Sequence, residues 1–245
     1  MKTDQLEFFH SGTMLDDPKP GDKWDVPRFL SSNSSEWAKV LVKIYEHPMS
    51  FPGSVSPNMG NLLRALIMNI VPRTVVEVGS YIGISTLWIA SAMADYEYNK
   101  KLYCIDTFPN HTDNPWCPGV TLNDPLEFMK ENIKKCGYQD FVEIHKGDSL
   151  LLINELLSNI LKPIDFVFID GDHSKEGCLS DFLNIEKYIA TGGYILFHDV
   201  FPNFCGVDGP FYTLQNKIIP SDKYEICQIY TSPLNFGFAL IRKLK

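Results

Sequence analysis

The stretch Val75-Val76-Glu77-Val78-Gly79-Ser80-Tyr81-Ile82-Gly83-Ile84-Ser85 narrows the choice of folds more than any other part of this chain. An apolar, β-branched run stops at a carboxylate and a glycine. Four residues after Gly79 a second glycine opens an amphipathic helical stretch, Thr86 to Ala94. Strand, glycine turn and helix together bring bare backbone N–H groups and a helix N-terminus against a bound nucleoside cofactor. The spacing departs from the dinucleotide fingerprint G-x-G-x-x-G, because Tyr81 holds the place of the middle glycine. Bulk there leaves less room for a pyrophosphate to approach the backbone. The pattern favours a smaller, phosphate-free nucleoside, for which S-adenosylmethionine (SAM) is the candidate.

From about residue 73 the chain alternates strand and helix, the signature of a parallel sheet. Strands are expected at 74–78, 102–106, 141–145, 164–169 and 193–198, with helices near 84–95, 124–136, 149–161 and 175–190. Gly137 and Gly192 stand where helix C-caps place glycine. The tail reads as two strands, 224–231 and 236–242, joined at Ser232-Pro233-Leu234-Asn235. The fold class is therefore α/β and Rossmann-like, a seven-stranded, mostly parallel sheet with an antiparallel C-terminal hairpin. Upstream, residues 1 to about 33 are polar and turn-rich (Asp16-Asp17-Pro18-Lys19-Pro20-Gly21-Asp22) and read as an irregular arm. Ser34-Ser35-Glu36 caps a helix with Trp37, Val40, Leu41 and Ile44 on one face, ended by His47-Pro48. Ser56-Pro57 begins another, with Leu62, Leu63, Leu66, Ile67 and Ile70 at helical spacing. The chain thus divides into an N-terminal arm with cap helices over 1–70 and a core over 71–245.

Composition restricts the partners. Hydrophobic residues at 44% and charged ones at 21% suit an ordinary soluble domain. A formal charge of −8 and the lack of a basic stripe argue against a nucleic-acid backbone. The six cysteines (Cys104, Cys117, Cys136, Cys178, Cys205, Cys227) contain no C-x-x-C pair, so neither a disulfide framework nor a zinc site is expected. Met1-Lys2-Thr3-Asp4-Gln5 has no apolar core of the signal-peptide kind and no segment is long enough to span a membrane, which reads as cytoplasmic. The N-terminal helices could serve a homo-oligomer contact.

Open α/β sheets bind ligands at the carboxyl ends of their strands, and here each strand ends in polar residues. Asp106 closes the second strand, where a carboxylate can take two ribose hydroxyls side by side; capping the following turn is the plainer alternative. Asp148 and Ser149 follow the third strand and suit either an adenine contact or a helix N-cap. The fourth strand runs into Asp170-Gly171-Asp172-His173 and the fifth into His198-Asp199. Asp170, His198 and Asp199 could converge on one cation. Otherwise Asp172 caps a helix and His198 is a hydrogen-bonded core residue. Two acid/imidazole clusters at equivalent ends of neighbouring strands favour a site.

These residues carry a family resemblance. Glu77 to Ser85 resembles the E-x-G-x-x-x-G-x-S motif of the catechol and caffeoyl-CoA O-methyltransferases. Asp170-Gly171-Asp172-His173-Ser174-Lys175-Glu176-Gly177, with Gly192-Gly193-Tyr194 and His198-Asp199, is closer still to a related bacterial branch. That branch includes the macrolide-sugar O-methyltransferases and the cephalosporin-biosynthesis methyltransferase-like proteins. The resemblance covers roughly residues 70 to 245 and implies a class I SAM-dependent O-methyltransferase. It places the cofactor against Glu77, Gly79, Ser80, Tyr81, Gly83, Ser85, Asp106, Asp148, Ser149 and Asp170. In such enzymes an acid after strand four and an acidic or amide pair after strand five bind a divalent ion, commonly magnesium, here at Asp170, His198 and Asp199. The ion holds the acceptor oxygens and lowers the pKa of the attacking hydroxyl. The base falls on His173, whose ordinary pKa suits proton removal near neutrality. His198 departs from the Asp or Glu often found there, and imidazole is a poorer partner for magnesium than for softer ions. Manganese, iron or no metal stay open.

The reaction implied is methylation of a hydroxyl on a small-molecule acceptor, a secondary-metabolite sugar, polyketide or phenol, with Asp170 and His173 as catalytic residues. Phe108 to Pro125 with Trp116, the arm, and Phe201 to Phe211 are candidate lid material, ordinary packing of Trp116 and Phe211 being the alternative. Three other readings stand beside this one: a nicotinamide oxidoreductase using Asp106 for ribose, a non-catalytic SAM-fold partner protein, and methylation of nitrogen without a metal.

Overall fold

The computed structural model describes residues 19–112, 114–158, 163–230 and 235–245. Seven strands, β1 (Thr74–Val78), β2 (Lys101–Asp106), β3 (Val142–Lys146), β4 (Ile164–Ile169), β5 (Ile189–His198), β6 (Tyr224–Ile229) and β7 (Phe238–Lys243), form one sheet in the order β3-β2-β1-β4-β5-β7-β6. The first five are parallel, and β7 runs antiparallel to both β5 and β6. The chain leaves β1 toward β2 on one side and returns to β4 on the other. That reversal opens a crevice at the carboxyl ends of β1 and β4, the usual ligand position in open α/β sheets.

Helices α1 (Glu36–Glu46), α2 (Pro57–Ile70), α3 (Ile84–Ala94) and α4 (Pro125–Lys135) belong to one apolar layer. Helices α5 (Ser149–Ser158), α6 (Lys175–Glu186) and α7 (Gly209–Thr213), the last continuing into a π-helical turn at Leu214–Ile218, serve the other. Residues 84–93 of α3 are all buried, because α1 and α2 lie over the side that the sheet does not cover. A helix apolar all round is stable only in such a sandwich. Gly60 on α2 permits the contact: a Cβ there would stand 2.0 Å from the Trp88 indole nitrogen. Trp88 Nε1 donates to the Tyr45 hydroxyl (2.9 Å), which donates to the Val55 carbonyl (3.0 Å). The cap helices therefore share one continuous core with the sheet.

Several expectations are refined. The described part of the arm, from residue 19, packs on the rest of the chain: Trp24 Nε1 donates to the Ser50 carbonyl (2.9 Å), Leu30 is buried, and Arg28–Ser31 forms a helical turn where irregular chain was expected. Residues 1–18 lie outside the described set. Ser35 stands at the N-cap of α1 but donates its hydroxyl to Asn33 Oδ1 instead of capping, whereas Ser56 does accept from Met59 N (3.2 Å). Gly137 follows the C-cap of α4 with φ 73°, as expected. Gly192 does not cap α6, which ends at Glu186; β5 starts earlier, at Ile189. The register to β4 jumps, Ile189 opposing Ile164 and Tyr194 opposing Phe166, and Gly192 (φ 86°) lies within that irregularity. The hairpin residues Ser232, Pro233 and Leu234 fall outside the described set. All six cysteines are free, and among the described residues no helix is long and apolar enough to cross a membrane.

Candidate functional site

A cavity of about 850 Å³ opens over the carboxyl ends of the parallel strands. Its floor is the glycine turn after β1. Gly79 has φ 88°, and a Cβ there would fall 2.1 Å from the Asp170 carbonyl oxygen, so the turn lies directly on the β4 loop. Asp170 N donates to the Val78 carbonyl (2.8 Å) and Gly79 N to the Ile105 carbonyl (2.9 Å), fixing three strand ends against one another. Asp106 organises the turn as well. Its Oδ2 accepts from Ser80 N (2.9 Å) and Tyr81 N (2.8 Å), and its Oδ1 from Phe108 N (2.6 Å). A carboxylate has about four acceptor positions, so room remains for one further donor instead of the side-by-side pair expected for ribose.

Glu77 does not reach the cavity. It is fully buried beneath the turn, where Ser80 Oγ (2.8 Å) and Thr86 Oγ1 donate to its Oε2. Burial raises its pKa, and the surrounding Ser85, Thr86 and Ser80 hydroxyls oppose that rise. Gly83 is likewise behind the wall, at the N-cap of α3 with φ 86° and the Met129 side chain close by. Gly79, Ser80, Tyr81, Ser85, Asp106, Asp148, Ser149 and Asp170 do line the cavity. Tyr81 adopts φ 50° and turns its ring to the rim, edge-on to His111 at 4.7 Å, with its hydroxyl donating to the Met49 carbonyl (2.9 Å). Asp148 Oδ1 accepts from Leu150 N (2.8 Å), the local capping role.

The clusters after β4 and β5 meet at the far end of the same cavity. His173 Nε2 stands 3.0 Å from Asp199 Oδ2 and 3.3 Å from Asp170 Oδ1. His198 Nδ1 stands 3.1 Å from Asp170 Oδ1 and 3.2 Å from Asp199 Oδ1. The other ring nitrogen of His198 lies 3.3 Å from the Asn235 carbonyl. A carbonyl only accepts, so that nitrogen carries the proton, and in the neutral ring Nδ1 presents its lone pair to the two carboxylates. Asp199 adopts φ 55°, a left-handed conformation that Asp tolerates better than most residues. Its Oδ1 is buried and has no aligned hydrogen-bond donor.

The charges are mutually dependent. Burial works against ionisation of Asp170, yet His198 and His173 outweigh it and hold the carboxyl at about 2. Burial also pulls His173 down, but hydrogen bonds and charge from Asp170 and Asp199 push it up to about 10. His198 is held at about 9 by Asp199 and Asp170, against its burial. The ordinary imidazole pKa assumed for His173 is therefore corrected: with both carboxylates unscreened it is an imidazolium, a proton donor. A cation between the carboxylates would remove that bias and return the ring to the basic form.

One ligand atom each from Asp170, His173 and Asp199 lies within 4.8 Å of the others, and His198 Nδ1, the imidazole nitrogen expected beside these carboxylates, lies 3.1 Å from Asp170 and 3.2 Å from Asp199. Two carboxylates, imidazole nitrogens and a buried carboxylate oxygen without an aligned donor fit a divalent ion. Asp172 stands apart: its Oδ1 accepts from Ser174 N (2.8 Å), and Ser174 is the N-cap of α6. Of the expected lid pieces, Pro109, His111, Asn114 and Trp116 line one side and Asn203 to Gly206 another, while Phe108 is core and Phe211 is not at the cavity. Gly21 N, in the arm, donates to the Trp116 carbonyl (2.8 Å). Asp181 on α6, and Pro52 to Val55 before α2, line the cavity without having been anticipated. An acid on a helix in sequence looks like a solvated position, and only the packing of α6 reveals Asp181 as buried.

Comparison with known proteins agrees with this geometry. The model of a family described as "Methyltransferase domain" matches residues 76–200. The chain is 26% identical over 226 residues to caffeoyl-CoA O-methyltransferase of Stellaria longipes, covering 86% of this chain and 84% of that protein. It is 28% identical over 119 residues to catechol O-methyltransferase of Niastella koreensis, covering 49% of this chain and 46% of that protein, less than half its length. In structure it resembles the O-methyltransferase TomG of Streptomyces achromogenes, solved in complex with SAM, with a TM-score of 0.65, 19% identity and full coverage of both chains. The resemblance to class I SAM-dependent O-methyltransferases read from the motifs stands, without singling out the macrolide-sugar and cephalosporin branch. With the glycine turn, the 3-2-1-4-5-7-6 sheet and the family match in agreement, the chain belongs to the methyltransferase domain family and has its class I, SAM-dependent fold.

Proposed function

We propose that this protein transfers the methyl group of SAM to a hydroxyl oxygen of a small molecule, assisted by a divalent cation. The observation that carries the reading is the meeting of Asp170, His173, His198 and Asp199 at one end of a cavity whose other end is the glycine turn and Asp106. Asp170, Asp199 and His198 Nδ1 would hold the cation, which leaves the His173 ring free to move a proton. Bound there, it would supply charge that acidifies an acceptor hydroxyl. Ser80, Asp106, Asp148 and Ser149 line the nucleoside end and bind and orient the donor. His173, once its carboxylates are screened, takes the acceptor proton. Tyr81, His111, Trp116, Phe204 and Phe236 give the rim aromatic surface suited to a phenol, polyketide or sugar ring and keep water from the reacting atoms. An imidazole in place of a wholly oxygen donor set favours manganese or iron over magnesium. Positioning the two reactants accounts for much of the rate.

The test is release of S-adenosylhomocysteine (SAH) from SAM in the presence of a panel of phenols, polyketides and sugars, each with manganese, iron, magnesium or EDTA. Turnover that needs a hydroxylated acceptor and a cation, and is lost in Asp199→Ala, is expected. Turnover on amines that is indifferent to EDTA would replace the proposal with metal-free N-methylation.

A further inference from the structure

Asp181 is a buried acid that the proposed chemistry leaves unused. It lies on α6, outside the acid/imidazole cluster, and is only 1% exposed. The Ser149 hydroxyl, at the first residue of α5, donates to its Oδ1 at 2.5 Å. Its Oδ2 is buried without an aligned hydrogen-bond donor, and the Asp172 backbone N–H also acts on the carboxylate. Burial pushes the Asp181 carboxyl up, Ser149 opposes that, and the neighbouring Asp172 and Asp148 add to it, leaving it at about 6. At pH 8 it is ionised, and both oxygens only accept.

A serine hydroxyl has one proton and two lone pairs. With the proton committed to Asp181, the face that Ser149 turns to the cavity offers lone pairs alone. Such a face accepts from an amino group and repels a carbonyl oxygen. Ser149 lines the cavity beside Gly147 and Asp148 at the end of β3, the position read above as the adenine end. We propose that Asp181 is a positioning residue that sets the base selectivity of this cavity, holding Ser149 as an acceptor for the 6-amino group of adenine and against a 6-oxo purine. The proposal rests on the SAM reading of the cavity.

The experiment measures binding of SAH and of its 6-oxo counterpart, S-inosylhomocysteine, to the full chain at pH 8 by calorimetry. The wild-type protein is expected to prefer SAH by on the order of tenfold, ~1.4 kcal/mol. Ser149→Ala and Asp181→Asn should bring the ratio toward one, because the first removes the acceptor and the second lets the amide turn and release the serine proton. Ser149→Thr keeps a hydroxyl and should keep the ratio. A wild-type protein that binds the two ligands equally, or a ratio retained in Ser149→Ala, overturns the proposal. So does a uniform loss of both affinities in Asp181→Asn, which marks a structural role only. If Asp181→Asn does not fold, the Ala and Thr variants of Ser149 decide. Failure of SAH to bind the wild-type protein is a separate result, refuting the SAM reading itself.

Discussion

Gly79→Ala should be far more damaging than an equivalent change at another left-handed glycine. At Gly79 a new Cβ would lie 2.1 Å from the Asp170 carbonyl oxygen, 2.4 Å from its carbon and 2.6 Å from Gly171 Cα, all backbone atoms that cannot rotate aside. Gly119 supplies the control, since it has φ 77° but nothing within 4 Å of its Cβ. Both substitutions incur the left-handed penalty of about 1–2 kcal/mol, and both restrict the unfolded chain alike. Only Gly79→Ala adds overpacking, about 1–3 kcal/mol and toward the upper end against rigid backbone. The totals are then about 1–2 kcal/mol for Gly119→Ala and about 3–5 kcal/mol for Gly79→Ala. For a chain of this size each kcal/mol lowers Tm by roughly 2–4 °C, so Gly79→Ala should fall by about 6–20 °C and Gly119→Ala by no more than about 8 °C. Thermal unfolding followed by circular dichroism gives both values. SAH affinity should fall in Gly79→Ala alone, because relief of the clash separates the turn from the β4 loop. Equal Tm losses in the two variants would refute the close approach of these loops.

Three further outcomes follow from the site. Asp106→Ala strips the acceptor from the N–H groups of Ser80, Tyr81 and Phe108, so SAH affinity measured by calorimetry should drop by roughly tenfold or more; unchanged affinity would contradict its role in the turn. Asp181 has a folded pKa of about 6, above the ordinary carboxyl value, so its stabilising contribution is present at low pH and lost as pH rises through 6. Asp181→Asn should therefore gain Tm relative to wild type above pH 6, by at most about 3 kcal/mol in stability, and gain nothing at pH 4; a difference independent of pH would be inconsistent. Asp199→Ala removes one of the two carboxylates on His173, so the His173 pKa, read by NMR titration of EDTA-treated protein, should fall from its position near 10; an unchanged titration would refute the coupling.

The fold was legible because its signals are local. Val75 and Val76 before Gly79, and Ile164 to Ile169 before Asp170, are short apolar runs ended by turn chemistry, and their alternation with helical stretches dictates a parallel sheet. Gly192 misled because a glycine after a helical stretch serves a C-cap and a strand irregularity equally well, and only the register of β5 against β4 separates them. In the site, the residue types at the ends of β4 and β5 were readable. Their electrostatics were not. The shift of His173 depends on Asp199, which is near it in space but distant in sequence, and the tautomer of His198 depends on the Asn235 carbonyl. Glu77 sits in the motif next to Gly79, but strand alternation directs it beneath the turn, where Thr86 and Ser80 hold it. Asp181 carries no sequence signal at all, since its burial comes from the packing of α6 beside α5.

The most direct measurement is calorimetric titration of SAH into EDTA-treated protein, followed by manganese into the SAH-loaded protein, for the wild type and Asp199→Ala. SAH binding in the micromolar range in both proteins is expected, with a separate manganese heat in the wild type that disappears in Asp199→Ala. Absence of SAH binding to the wild-type protein would contradict the cofactor cavity, and a manganese heat undiminished in Asp199→Ala would contradict the metal site.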